Sequence, residues 1–253
     1  MTKQLLIYEK VVPLSKDRHR DWYVKTGKNY KFAQSVNAMP LTAIEFPKAA
    51  LEYTIIFTGK QDSGVVMPAI VLGLRNEENI FVQEDGRWES RYIPAFARRY
   101  PFVFSGDDEG KTFTLCLDEE FEGCNQEGRG ERLFDSEGEQ TQYLKGILGF
   151  VKEYQGQFQR TQTFCNKLKE HNLLEPIQAE LTLKTGEQMS LGGFMAVSRE
   201  KLKELTGEQL VELTQTNELE LIYLHLQSLQ NLPTIAERLP QNRLESNPGE
   251  DNK

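Results

Sequence analysis

Cysteine and histidine are scarce, with three of each in 253 residues, and that scarcity excludes several chemistries at once. Cys116, Cys124 and Cys165 are odd in number and show no C-x-x-C spacing, which argues against a disulfide framework and against a zinc knuckle. His19, His171 and His225 form no H-x-H, H-x-x-x-H or H-E-x-x-H pattern, so no metal site is expected and no cofactor is implied. Positive charge is also in deficit: 30 Lys and Arg against 38 Asp and Glu give a net charge of −8. That balance opposes contact with a phosphate backbone, and nucleic acid is not an expected partner. Long apolar runs are missing as well. Nothing approaches the roughly 18 residues that a membrane span needs, and Leu5-Leu6-Ile7 is too short for a signal-peptide core. A cytoplasmic location is therefore expected, with unconventional export as the alternative. No G-x-S-x-G elbow or G-x-x-x-x-G-K-[ST] loop is present, and no G-x-G-x-x-G follows a predicted strand.

The residues that are present, 38% hydrophobic and 27% charged, describe an ordinary globular chain with room for one large or two small domains. In the first half, short β-branched runs at Leu51 to Phe57 and Val65 to Leu74 predict buried strands, with Pro68 placing the second at an edge or on a bulge. Hairpins are expected around Glu84-Asp85-Gly86 and around the acidic turn Gly106-Asp107-Asp108-Glu109-Gly110. That acidic turn and Asp118-Glu119-Glu120 lack calcium-loop spacing and are expected to be solvated. Residues 119–138, rich in glycine and acids, predict an exposed connection.

The second half reads as helical. A capping box at Ser136 and Glu139 introduces apolar positions from Leu144 to Leu168 at three- and four-residue spacings, so one long helix should run to His171-Asn172. At that helix end His171 is expected to face the dipole's negative pole. A third hairpin follows, with Gly192-Gly193 marking a bulge or a close backbone approach, and then two helices. Ser198 can cap the segment through Leu205, Thr206 and Gln209 form another capping box, and Leu219, Ile222, Tyr223, Leu226 and Leu229 form the apolar stripe of the last helix. The fold class is α+β: a mainly antiparallel sheet from the N-terminal half and a 178–197 hairpin, packed by the long helix and the C-terminal helix pair. The expected organisation is one domain over 1–230, with 119–138 the only candidate sub-boundary and 231–253 a polar tail interrupted by prolines.

The densest functional signal is Arg87 to Phe102. Four arginines and five aromatics there invert the charge of an acidic protein. A guanidinium offers a planar fork to carboxylate or phosphate, and aromatic faces stack on sugars or planar groups. Arg87, Trp88, Arg91, Tyr92, Arg98, Arg99 and Tyr100 are accordingly the expected ligand-binding residues, for a small anionic, peptide or glycan-like ligand. The plainer alternative makes the aromatics core and pairs the arginines with the plentiful acids. Cys116 and Cys124 are expected to pack and not to react.

Several segments together resemble the bacterial SapC family: Tyr8 to Ser15, Asn37 to Pro47, Tyr92 to Phe102 (YIPAFARRYPF, the most specific), Leu133-Phe134-Asp135, Leu191 to Phe194 and Ile222 to Leu226. The resemblance runs to about Leu229 and implies a role linked to a bacterial surface layer or the envelope. It is not a resemblance to the like-named peptide-transporter permease, which needs membrane spans. No catalytic residue carries over. The leading expectation is therefore a non-catalytic binding or accessory protein. One alternative is an enzyme or enzyme partner with a site assembled from Tyr92, Arg98, Glu45 and His225; another is a homodimer built on the stripe of the last helix.

Overall fold

The computed structural model describes residues 6–59, 64–106 and 112–238. In chain order the first part contains β1 (Val11–Pro13), α1 (Lys16–His19), β2 (Tyr23–Val24), β3 (Ala38–Pro40), α2 (Phe46–Ala49), β4 (Ile55–Thr58), β5 (Met67–Val71) and α3 (Ala95–Arg98). Next come β6 (Phe102–Gly106), β7 (Phe113–Asp118), β8 (Cys124–Asn125), β9 (Glu131–Arg132) and α4 (Gln142–Glu170). The remainder is β10 (Leu174–Thr182), β11 (Gln188–Val197), α5 (Arg199–Lys203), α6 (Gly207–Gln215), α7 (Glu218–Ser228) and α8 (Leu232–Arg238). The fold is α+β, and every strand pairing between these elements is antiparallel. No helix among the described residues is long and apolar enough to cross a membrane.

The chain forms two compact units that interleave along the sequence. The first takes the stretch up to Ala33, Val82–Glu89 and Ile93–Gln159; the second takes Gln34–Phe81, Ser90–Tyr92 and the chain from Arg160. The 119–138 connection lies wholly within the first unit.

The first unit holds two three-stranded sheets, β1-β7-β6 and β8-β2-β9. Val24, Phe102, Leu117, Leu133, Leu144 and Val151 meet in its core, so the first half of α4 covers both sheets. The hairpin expected at residues 102–117 is β6-β7, and its Asp107 to Gly110 turn lies outside the described residues. The 119–138 connection is more structured than its composition suggests. Asn125 accepts from the Glu127 and Arg129 amides and donates to the Gly123 and Arg129 carbonyls, which closes the turn between β8 and β9. The Gly86 hairpin is present as a single bridge, Val82 to Trp88, after which the chain leaves the ladder.

α4 begins at Gln142 and not at Ser136, because Thr141 Oγ1 accepts from Leu144 N–H and Asp135 closes the preceding turn onto the Glu137 and Glu139 amides. Gly146, Gly149 and Gly156 lie on its exposed face, where an added Cβ would meet nothing within 4 Å. Gly149→Ala and Gly156→Ala are each expected to raise stability by about 0.5–1 kcal/mol, read as higher denaturant midpoints at unchanged slope, since only backbone entropy and helix propensity change.

The second unit is built on a five-stranded sheet, β10-β11-β4-β5-β3. Pro68 sits in β5 between two neighbours, at neither a sheet edge nor a bulge. Short β3 pairs only with residues 69–71, and Leu41 N–H donates to the Pro68 carbonyl just beyond it. The proline nitrogen faces the same side as its carbonyl, where the ladder has already ended. In the β10-β11 hairpin the register shifts between Ile177 and Ala179, opposite Gly192-Gly193; Gly193 has φ +84°, so the bulge expected there is present.

Two further features differ from the sequence reading. Residues 232–238, expected in a loose tail, form α8, with Leu232, Ile235 and Ala236 buried beside Leu181 and Leu183 of the hairpin. Pro233 is tolerated because it falls in the first helical turn, where its missing N–H has no intrahelical partner to lose. On α7 the inward face carries Ile222, His225 and Leu226, while Tyr223 is 53% exposed. His225 takes the inward position because its ring joins two strands. Nε2 accepts from Val197 N–H at 3.0 Å, which leaves Nδ1–H to donate to the Ile55 carbonyl at 3.0 Å. Ser228 Oγ accepts from Ile55 N–H at 3.0 Å, so α7 supplies both groups that a ladder partner would give Ile55.

Candidate functional site

The structure distributes the Arg87 to Phe102 segment over different surroundings. Arg87 lies at the hairpin tip, its side chain 73% exposed and paired with Asp85 at 2.5 Å. Trp88 is buried with its edge against Tyr30, ring centroids 5.6 Å apart. Arg99 is only 2% exposed, and its guanidinium carbon lies 4.3 Å from the Phe96 ring centre and 4.5 Å from that of Tyr154. Its Nε and Nη2 make no hydrogen bond among the described residues, and the Tyr8 ring lies 5.7 Å from the same carbon, so three aromatic rings surround the charge and two of them fasten α3 to α4. Arg91 and Tyr92 belong to the second unit, where they line a separate cleft with Lys48, Leu51, Glu52 and Arg238.

Arg98 and Tyr100 come together in a cleft of about 260 Å³ in the first unit, walled also by Tyr30, Phe32, Phe121 and Tyr143, with Asn29 and Thr26 among its polar groups. The rings form a connected series. Tyr30 is 5.8 Å from Phe32, Phe32 lies 4.2 Å from Tyr100 at an interplanar angle of 30°, and Tyr100 meets Phe121 edge-on at 5.2 Å. Each is held from behind. Gly86 brings its backbone against Asn29, its carbonyl accepting from Tyr30 N–H at 2.7 Å, and an added Cβ there would lie 2.1 Å from Asn29 Oδ1. Arg98 is oriented by donation from Nε to the Ile93 carbonyl at 2.9 Å and lies over the Phe150 ring at 5.3 Å.

Tyr100 is positioned by Asp118. That carboxylate is fully buried, not solvated as its acidic surroundings suggested, and accepts from the Glu9 amide at 2.8 Å, the Lys10 amide at 2.9 Å, the Glu120 amide at 3.2 Å and the Tyr100 hydroxyl at 3.3 Å. Burial and the neighbouring carboxylate raise the Tyr100 pKa far above the ordinary phenol value, burial raises that of Tyr30, and burial pushes Tyr143 up to about 12. All three phenols therefore keep their protons at neutral pH. The Tyr100 proton is spent on Asp118 and the Tyr143 hydroxyl is buried, so Tyr30 and Arg98 supply the donors of an aromatic-walled cleft.

These observations draw on the segment that most specifically carried the family resemblance. A comparison with known families matches the SapC family over residues 14–235. The chain belongs to the SapC family. No curated protein and no solved structure matches it.

Within this SapC chain, the residues considered for an assembled active site are each engaged in structural contacts. Tyr92 donates to Glu45 Oε1 at 2.7 Å, but the other oxygen of Glu45 accepts from Thr42 N–H and Oγ1 as a helix cap. His225 is fully buried with both ring nitrogens used by backbone groups, and Arg98 belongs to the other unit. His171 stands at the end of α4, but its Nδ1 accepts from Gln209 Nε2 at 3.1 Å and does not cap the helix carbonyls. Burial pushes the thiols of Cys124 and Cys165 up to about 12 and raises that of Cys116, so all three remain protonated. Among the described residues no group of three His, Cys, Asp or Glu could hold a metal ion.

Sequence reasoning found Arg98 and Tyr100 and missed Asn29, Tyr30, Phe32, Phe121 and Tyr143. For Asn29, Tyr30 and Phe32 the signal is the Asn29-Tyr30-Lys31-Phe32 run, two aromatics two apart beside a turn residue; nothing local marks Phe121 or Tyr143.

Proposed function

We propose that this SapC-family protein is a non-catalytic binding or accessory protein of the bacterial surface layer or envelope, and that the Arg98–Tyr100 cleft takes a single sugar ring or glycan end group. One observation carries the reading: five protein rings, the Tyr30 hydroxyl and an oriented guanidinium line one cavity in an otherwise acidic chain. Aromatic faces suit the apolar face of a pyranose, and fixed donors suit its hydroxyl or carboxylate oxygens. At about 260 Å³ the cleft is smaller than the pockets that hold drug-sized ligands, which favours one ring over an extended chain. The surface-layer part of the reading rests on the family resemblance.

The test is isothermal titration of the full chain with N-acetylglucosamine, glucuronic acid and their short oligomers. At least one sugar should bind, and Arg98→Ala should weaken it by about tenfold, the equivalent of one charge-assisted hydrogen bond. Arg98 is exposed, so the variant should melt with the wild type. If no sugar binds, or Arg98→Ala binds as tightly as the wild type, the cleft is not the site.

A further inference from the structure

The second unit holds a wider cleft of about 740 Å³, lined by Lys48, Leu51, Glu52, Arg91, Tyr92 and Arg238. Its lining carries three cations and one acid, a local charge of +2 within a chain of −8. Local pairing does not account for this. None of the three cations is in an ion pair among the described residues; Lys48 lies 5.9 Å from the Tyr92 ring centre, and Arg238 lies 5.0 Å from that of Phe81. Glu52, the one carboxylate in the wall, is directed elsewhere. It accepts from Ser90 Oγ at 2.8 Å and from the backbone N–H of Arg91 at 3.1 Å, not from a guanidinium.

The short segment that presents Arg91 is also fixed on both sides. The Tyr53 hydroxyl donates to the Tyr92 carbonyl at 2.5 Å, and the Tyr92 hydroxyl donates to Glu45 at 2.7 Å. The Arg91 backbone is therefore set before any ligand arrives, while its side chain stays exposed. Preorganisation of this kind reduces the ordering cost of binding. Guanidinium forks match the paired oxygens of carboxylates and phosphates, and a cleft of one charge sign concentrates counter-ions.

We infer that this cleft is a binding site for a multiply charged small anion, bearing either several carboxylates or phosphoryl groups, held by Lys48, Arg91 and Arg238. It is separate from the aromatic cleft of the first unit and does not depend on the sugar reading.

Isothermal titration of the full chain with sodium pyrophosphate, and separately with citrate, tests it at low ionic strength. At least one anion should bind, more weakly as salt is raised. Binding of pyrophosphate alone assigns a phosphoryl ligand, and binding of citrate alone a polycarboxylate. Lys48→Ala combined with Arg91→Ala should weaken the interaction by at least about tenfold. Arg98→Ala, in the other unit, should titrate like the wild type. Glu52→Gln, which keeps an acceptor for Ser90 and Arg91 while removing the one opposing charge, should tighten it. The inference is overturned if neither anion binds, if the double variant binds like the wild type, or if Glu52→Gln leaves affinity unchanged or weaker.

Discussion

Replacing His225 with alanine is expected to cost about 3–5 kcal/mol of stability, because it leaves a buried N–H and a buried carbonyl unpaired and empties the space of a ring. The N–H is that of Val197 on β11 and the carbonyl that of Ile55 on β4, and both now bond to one imidazole. The ring also lies against Phe57, centroids 4.9 Å apart, so packing is lost together with the two hydrogen bonds. The same geometry fixes a pH dependence. Burial, with the Arg199 charge nearby, holds the His225 pKa down at about 4, and an imidazolium there would also point a second N–H at the Val197 amide. The unfolded chain takes up that proton near pH 6.5 and the native protein only near pH 4. Stability from this group is therefore complete above about pH 6.5 and falls as the pH drops towards 4, by about 3 kcal/mol in all. Denaturant titrations at a series of pH values should show this slope in the wild type. In His225→Ala the slope over that window should be flatter; if the two proteins have parallel profiles, the ring does not bridge the strands as described.

Asp118→Asn, a substitution of equal size, should lower the melting temperature by about 6–12 °C, corresponding to roughly 3 kcal/mol in a chain of this length. One oxygen of Asp118 accepts from the Glu9 amide and the Tyr100 hydroxyl, the other from the Lys10 and Glu120 amides. An amide keeps one of these oxygens and turns an NH₂ towards the other pair of donors, so donor faces donor whichever way it flips. The readout that separates positioning from plain stability is the phenol. Without the carboxylate Tyr100 should ionise at lower pH, followed by NMR of ring-labelled tyrosine, and the affinity for any sugar found to bind under the proposed function should fall with it. An unchanged Tyr100 titration would show that Asp118 does not position the ring.

These two residues also mark where sequence reasoning stops. Periodicity placed the end of the long helix to within a turn, although the Ser136 box set its start more than a turn early; the Thr206–Gln209 box, whose two hydrogen bonds of 2.9 and 3.3 Å are present, and the bulge at Gly192-Gly193 were both legible. Those signals are local, because a cap or a bulge is decided by residues a few positions apart. His225 and Asp118 are decided by partners far along the chain: Ile55 lies 170 positions from His225, and Glu9 lies 109 from Asp118. Hydropathy placed Tyr223 inward and gave no reason to bury a histidine or an aspartate. The segment at Arg87 to Phe102 was legible as chemistry but not as geometry. Its residues alternate between the two units, so composition joined Arg91 to Arg98 where the fold assigns them to different clefts.

The backbone passes between the two units at 33/34, 81/82, 89/90, 92/93 and 159/160. No single break in the coding sequence releases either unit whole, and neither can be shuffled, duplicated or lost by recombination at one junction. The two clefts are therefore inherited as a pair. A lineage that no longer needs one can erode its side chains but cannot discard the unit that carries it, so the wall residues of each cleft should drift separately over a shared frame.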